Sequence, residues 1–269
     1  MLTSERLVSE AGVTVATVRC RHAGPAWSQP EEVAHSGLVL VRSGVFRLEV
    51  DGAEQVADVC AGYVQRPGAE QRVAHPAGDD VCTAFAVSAE ALAGIAGGAE
   101  PAGPVLTSPR IDLAHRMLVA RAAADADAGE LAERAHVIAG AVLSELAPAG
   151  VAAGFPSRRR ASRVADDVRE AVATDPSADL AELARLTGLS TYHVSRVFRQ
   201  QSGLTVSGFR ARLKVRRALD LLANGEHDLA ALAVRCGFAD QAHLTRAVRR
   251  ETGWTPGQLR RVLTGQLRS

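Results

Sequence analysis

Two stretches in the second half of this 269-residue chain are copies of one another, and that duplication constrains the fold more than any other feature. Residues 180–189 read LAELARLTGL and residues 229–238 read LAALAVRCGF, an offset of 49 with five identities in ten positions. After one extra residue, STYHVSRVFRQQSGLTVSGFR (190–210) aligns with DQAHLTRAVRRETGWTPGQLR (240–260) at an offset of 50. His193 and His243, Arg196 and Arg246, Arg199 and Arg249, Gly203 and Gly253, Thr205 and Thr255, and Arg210 and Arg260 are identical pairs.

Each copy has the chemistry of a helix-turn-helix, over 180–202 and 229–252. A short first helix carries Leu180, Leu183 and Ala184, or Leu229, Leu232 and Ala233. A glycine, Gly188 or Gly237, permits the tight turn, and Leu189 or Phe238 then plugs the core. Ser190 or Asp240 supplies a side-chain oxygen to cap the second helix. Val194, Val197 and Phe198 form the inward stripe of that helix, as do Leu244, Ala247 and Val248. The outward positions are Thr191, Tyr192, Ser195, Arg196 and Arg199, and in the second copy Gln241, Ala242, Thr245, Arg246 and Arg249. Arg and Gln are side chains that read major-groove base edges. Between the copies, residues 205–223 predict one helix of about 28 Å, against about 34 Å between successive major-groove faces. One chain could therefore reach two adjacent grooves of duplex DNA.

Charge supports a polyanionic partner. The net charge is only +1. Residues 1–157, however, hold 11 basic against 19 acidic side chains, and residues 158–269 hold 20 against 11. Halves of opposite sign predict two units, the basic one facing nucleic acid. A composition of 47% hydrophobic and 23% charged residues fits a globular chain. The longest aliphatic run, 38–41, is far short of the ~20 residues a membrane span needs. The opening MLTSERLVSE lacks the apolar core of a secretory leader, so a cytoplasmic location without membrane contact is expected. Cys20, Cys60, Cys82 and Cys236 form no CxxC and no regular spacing, which argues against a disulfide framework or a structural zinc site.

The first half reads differently. Alternating stretches at 13–22, 38–50, 55–59, 63–65, 71–75 and 81–87, with a hairpin signal at Asp51-Gly52, predict a small antiparallel barrel or sandwich. Residues 94–109 read as a connection, and 111–124 and 130–147 as an αα-hairpin. A third helix runs from 158 to about 173. The Gly, Pro and Ala of 148–157 predict a linker, with few contacts between the halves. The fold class is α+β: an antiparallel β unit with a helical hairpin, then an all-α double helix-turn-helix.

The region 160–264 closely resembles the DNA-binding domain of the AraC/XylS family of bacterial transcription regulators, and GFADQAHLTRAVRRETGWTPGQLR is the family signature nearly residue for residue. Leu259 departs from the pattern, standing where an aromatic residue is common. The resemblance implies base-reading positions at Tyr192, Ser195 and Arg196, and at Gln241, Ala242, His243, Thr245 and Arg246. Thr191, Arg199, Arg249, Arg250 and Thr255 are assigned to the DNA backbone. It further implies a cupin-like effector-binding barrel over 1–100, a dimerisation and linker hairpin over 108–150, and a DNA-binding domain over 158–265. Double-stranded DNA, RNA polymerase, a small-molecule effector and a second copy of the chain are the implied partners.

For the effector, Cys20, His22, Arg42, Tyr63, Arg66, His75 and Cys82 are the candidate pocket residues. The closely spaced His-x-His and following Glu of cupin metal sites are missing, so no metal and no cofactor are expected. No acid/base or nucleophile constellation points to an enzyme. Two rival readings stay open: a metal-dependent cupin enzyme with a DNA-targeting tail, and a regulator whose barrel only dimerises.

Overall fold

The computed structural model describes residues 2–21, 24–91, 104–145 and 156–265. Its amino-terminal part is one antiparallel sheet. Strands β1 (Leu2–Glu10), β2 (Val13–Cys20), β3 (Glu31–Glu32), β4 (Gly37–Ser43), β5 (Val45–Val50), β6 (Ala53–Asp58), β7 (Ala61–Gln65), β8 (Glu70–Ala74) and β9 (Asp80–Val87) lie in the order β1-β2-β9-β4-β7-β6-β5-β8-β3. Strand β10 (Pro104–Leu106) pairs with β7. At the Asp51-Gly52 hairpin both residues take positive φ, 49° and 77°, the conformation that matches the strand twist.

Alternation along the strands gives the sheet two apolar faces. Leu38, Leu40, Val13, Val15, Phe85 and Val87 pack with Ile111 and Leu118 of α1 (Pro109–Ala123) and with Leu131, Ala135, Ile138 and Val142 of α2 (Ala128–Glu145). Val39, Val41, Phe46, Leu48, Tyr63 and Cys82 face the other way, into a cluster that continues to the first helix-turn-helix unit. The sequence reading misses β1. Most of its residues are exposed, so no apolar alternation marks it, and the turn at Ala11-Gly12 is what folds it back on β2.

The remaining helices are α3 (Pro156–Thr174), α4 (Leu180–Thr187), α5 (Thr191–Ser202), α6 (Val206–Ala223), α7 (Leu229–Arg235), α8 (Gln241–Thr252) and α9 (Pro256–Leu263). Val168 and Val172 of α3 join Leu183, Val194, Phe198 and Phe209 in the first unit. Leu219, Leu222, Leu232, Phe238, Leu244, Val248 and Leu259 form the second, and Leu113 of α1 packs among them.

The halves are not loosely joined, contrary to the expectation from residues 148–157. Most of that segment lies outside the described residues, as does most of the connection at 94–109. Elsewhere, Arg169 in α3 donates to Asp58 at the end of β6, at 2.8 Å, and Arg47 in β5 donates to Glu170, at 2.7 Å. Asp112 in α1 binds Arg116 at 2.9 Å and also Arg216 in α6, while Arg116 pairs with Asp220 and donates to the carbonyl of Arg42 at 2.7 Å. Burial would raise the Asp112 carboxyl, but the two guanidinium groups hold it well below the usual carboxylate range. Burial pushes His115, which donates to Asp112 from Nε2, down to about 4. Linker composition describes some ten residues of chain. It says nothing of the surfaces on either side, and those are complementary in charge and apolar area.

Candidate nucleic-acid interface

The two helix-turn-helix units are built alike because their local signals are alike. In the first, Asp179 caps α4 by accepting from the Glu182 amide, at 2.8 Å, while Glu182 accepts from the Asp179 amide, at 2.7 Å. Gly188 ends α4 with φ of 66°, a conformation in which a side chain would be strained. Ser190 then caps α5 by accepting from the His193 amide. In the second unit Asp228 caps α7, Gly237 turns at φ of 73°, and Asp240 accepts from the His243 amide, at 2.6 Å. The caps place the first turn of α5 and of α8 at the surface, with Val194 and Phe198, or Leu244 and Val248, buried beneath.

The outward positions expected from the sequence lie along these helices as anticipated in register. Thr191, Tyr192, Arg196 and Arg199 are exposed on α5, with Ser195 half-buried; Gln241, Ala242, His243, Arg246, Arg249 and Arg250 are exposed on α8, with Thr245 half-buried. Among the described residues, Arg196, Arg199, Arg246, Arg249 and Arg250 have no carboxylate partner, whereas Arg47, Arg72, Arg116, Arg121 and Arg169 of the rest of the chain all do. The acidic residue of α8, Glu251, is held by Arg212 of α6 at 2.5 Å, which neutralises it. The result is a pair of helix faces with unsatisfied positive charge.

Two side chains in the set, Thr255 and His243, have structural duties, as does the neighbouring His193. The Thr255 hydroxyl accepts from the Gln258 amide and caps α9. The His193 ring nitrogen Nδ1 lies 2.8 Å from the Ser190 hydroxyl, and the His243 ring stands edge-on to Phe238 with centroids 5.2 Å apart. Leu259 is buried, so the departure from an aromatic residue there is absorbed by the core.

The amino-terminal candidates do not form one pocket. Cys20, Tyr63, His75 and Cys82 share the inner side of the sheet; Cys20 Sγ lies 3.4 Å from His75 Nε2, and the Phe46 ring stands edge-on to Tyr63 and tilted against His75. Burial raises the Tyr63 hydroxyl and the Cys82 thiol far above their ordinary values. Arg42 instead turns to the α1 side, donating to the Thr17 hydroxyl at 3.0 Å, and burial lowers it to about 10. Arg66 forms a surface pair with Asp51 at 2.6 Å and borders a cavity of about 110 Å³. His22 lies outside the described residues. The sequence reading misses Asp80, which joins Cys20, His75 and Cys82; its place two residues before Cys82 on one strand was the available signal. It also misses Asp112, Arg116, Arg216 and Asp220, of which only the helical i,i+4 spacing of Asp112 and Arg116 is a local mark.

Residues 183–262 match a family described as a helix-turn-helix domain. The chain is 35% identical over 85 residues to the HTH-type transcriptional activator RhaS of Escherichia coli strain SE11, covering 32% of this chain and 31% of that one. It is 37% identical over 79 residues to the protein of that name from strain K12 / DH10B, covering 29% and 28%. The chain thus spans about a third of the length of the curated relatives it matches. Among solved structures, ToxT from Vibrio cholerae O395 aligns over 94% of this chain and 99% of its own, with a TM-score of 0.37 and 9% identity. A cupin superfamily protein from Desulfitobacterium hafniense aligns over 33% of this chain and 78% of its own, with a TM-score of 0.29 and 14% identity.

Proposed function

We propose, on the premise that its carboxy-terminal part is an AraC-type helix-turn-helix domain, that the chain is a sequence-specific DNA-binding transcription regulator. One observation carries the reading: two capped helices, built to the same plan, each present arginines that no carboxylate in the described chain neutralises. A guanidinium left free at a folded surface is suited to a phosphate or to the O6/N7 edge of guanine, which it can bind with two parallel hydrogen bonds. In this reading Tyr192, Ser195 and Arg196 of α5, and Gln241, Ala242, His243, Thr245 and Arg246 of α8, meet base edges. Thr191, Arg199, Arg249 and Arg250 bind the backbone, with Thr255 helping through the helix start it caps.

The 18-residue helix α6, about 27 Å long, runs between the two readers. Its Arg216 and Asp220 are tied to α1, which packs on the sheet. A signal received in the amino-terminal half, such as a small molecule, would reach the readers through these pairs. The curated relatives are named as activators, so recruitment of RNA polymerase is part of the proposal, as are a cytoplasmic location and pairing of two copies through the helices of 108–150.

The test is binding of the full chain to sites selected from random duplex DNA, measured by fluorescence anisotropy across a salt series. Affinity should fall steeply as salt rises from 50 to 200 mM, on the order of a thousandfold for six or more phosphate contacts. A selection that returns no enriched sequence, or a salt plot that stays flat, overturns the reading.

A further inference from the structure

Three aspartates are fully or almost fully buried: Asp58, Asp112 and Asp80. Asp58 has Arg169, and Asp112 has Arg116 and Arg216. Asp80 has no arginine or lysine among the described residues; its partners are His75 and Cys82. An ionised carboxylate in such a place needs a compensating positive charge. The nearest groups are an imidazole and a thiol, with no guanidinium or ammonium among them. Asp80 opens β9 directly opposite Cys20, the last residue of β2, and His75 follows the end of β8. Each of the three is more than nine-tenths buried.

The atoms converge. Cys20 Sγ is 3.4 Å from His75 Nε2, Cys82 Sγ is 3.7 Å from Asp80 Oδ1, and one donor atom from each of Cys20, His75 and Asp80 falls within 4.8 Å of the others. His75 Nδ1 and Asp80 Oδ2 approach to 2.5 Å, yet neither has a hydrogen bond of acceptable direction. With metal–ligand bonds of about 2.0–2.3 Å, a tetrahedral site separates its donor atoms by about 3.3–3.8 Å. The sulfur–imidazole edge, from Cys20 Sγ to His75 Nε2, already has that length. The turn behind Asp80 is fixed, because Gly44 has φ of 88° and a Cβ there would lie 2.6 Å from the Asp80 Cβ.

We infer that Cys20, His75 and Asp80 form a three-ligand binding site, with the fourth position open, for a thiophilic divalent cation of the zinc class. Sulfur and imidazole select zinc or cobalt over magnesium and calcium, which take oxygen ligands. Binding would release the Cys20 thiol proton and act against the burial that raises that thiol. No metal was expected from the sequence because the His-x-His spacing and the following Glu of cupin metal sites are missing, and Asp80 was not among the candidates. It stands apart from the DNA-reading proposal, and its test uses no DNA.

The reduced full-length protein, stripped with chelator, is titrated anaerobically with Co²⁺ and then with Zn²⁺. One equivalent of Co²⁺ should give a near-ultraviolet thiolate-to-cobalt band and the intense visible bands of tetrahedral cobalt, both abolished by one equivalent of Zn²⁺. Cys20→Ser and His75→Gln should each weaken binding at least tenfold, while Cys60→Ser and Cys236→Ser should leave the spectrum unchanged. Wild-type protein that gives no thiolate band overturns the inference, whether or not the variants fold. So does a band that survives in Cys20→Ser and disappears in Cys60→Ser or Cys236→Ser.

Discussion

Arg169 of α3 donates from Nε to Asp58 of β6 at 2.8 Å, and the other oxygen of Asp58 accepts from the Cys60 amide at 2.6 Å. This pair, buried on both sides, joins the two halves of the chain. Removing one partner leaves a buried charge uncompensated, so Arg169→Ala or Asp58→Ala should cost about 3–5 kcal/mol. The double replacement Arg169→Met with Asp58→Leu should cost much less than the sum of the two single losses. Urea unfolding of the three variants checks this; additive losses would mean that the pair is not coupled.

His115 gives stability a pH dependence of definite sign. Its value in the folded chain is about 4, below the ordinary 6.5, so the unfolded chain binds more protons between those limits. Stability is therefore fully present above about pH 6.5 and is lost as pH falls toward 4, by about 3 kcal/mol. Asp166, raised by burial to about 7, acts in the opposite direction over the whole of this range. Comparison with His115→Gln removes that effect, since both proteins keep Asp166. Wild type should lose about 3 kcal/mol more than the variant between pH 7 and pH 4 in denaturant titrations.

The two readers should be separable on DNA. Arg196→Ala and Arg246→Ala should each cost about 1–3 kcal/mol and relax preference only at its own subsite, the two subsites lying about 10 bp apart. Arg199→Ala should weaken all sequences alike and reduce the salt slope by about one. Anisotropy against single-position variants of a selected site decides the matter; a uniform loss for Arg196→Ala and Arg246→Ala would exclude base reading by either.

Gly44→Ala tests the close approach behind Asp80. The backbone there has φ of 88°, and the new Cβ would meet the Asp79 carbonyl at 2.7 Å and Asp80 Cβ at 2.6 Å. The backbone conformation alone should cost about 1–3 kcal/mol, read as a lowered thermal midpoint. Gly52→Ala, also at positive φ but with nothing within 4 Å, should cost less. Equal losses would show that the contact with Asp80 is immaterial.

The sequence by itself determined what depends on neighbours along the chain. Ser190 and Asp240 as caps, the helix stop at Gly188, the hairpin at Asp51-Gly52 and the inward stripes of Val194–Phe198 and Leu244–Val248 each act across four residues or fewer. The duplication doubled those signals, so both reading units were legible to within a residue or two. The tertiary structure alone decided the rest. Arg169 and Asp58 are 111 residues apart, Arg116 and Asp220 are 104, and Cys20 and His75 are 55. No spacing rule joins such partners, because they meet only when strand register and helix docking bring their surfaces together. Strand β1 belongs with them: its sequence is mostly polar and mostly exposed, and it is a strand because β2 offers it hydrogen bonds. Short-range hydrogen bonding and periodic burial leave marks in a sequence. Charge compensation in a buried interface leaves none until the chain has closed around it.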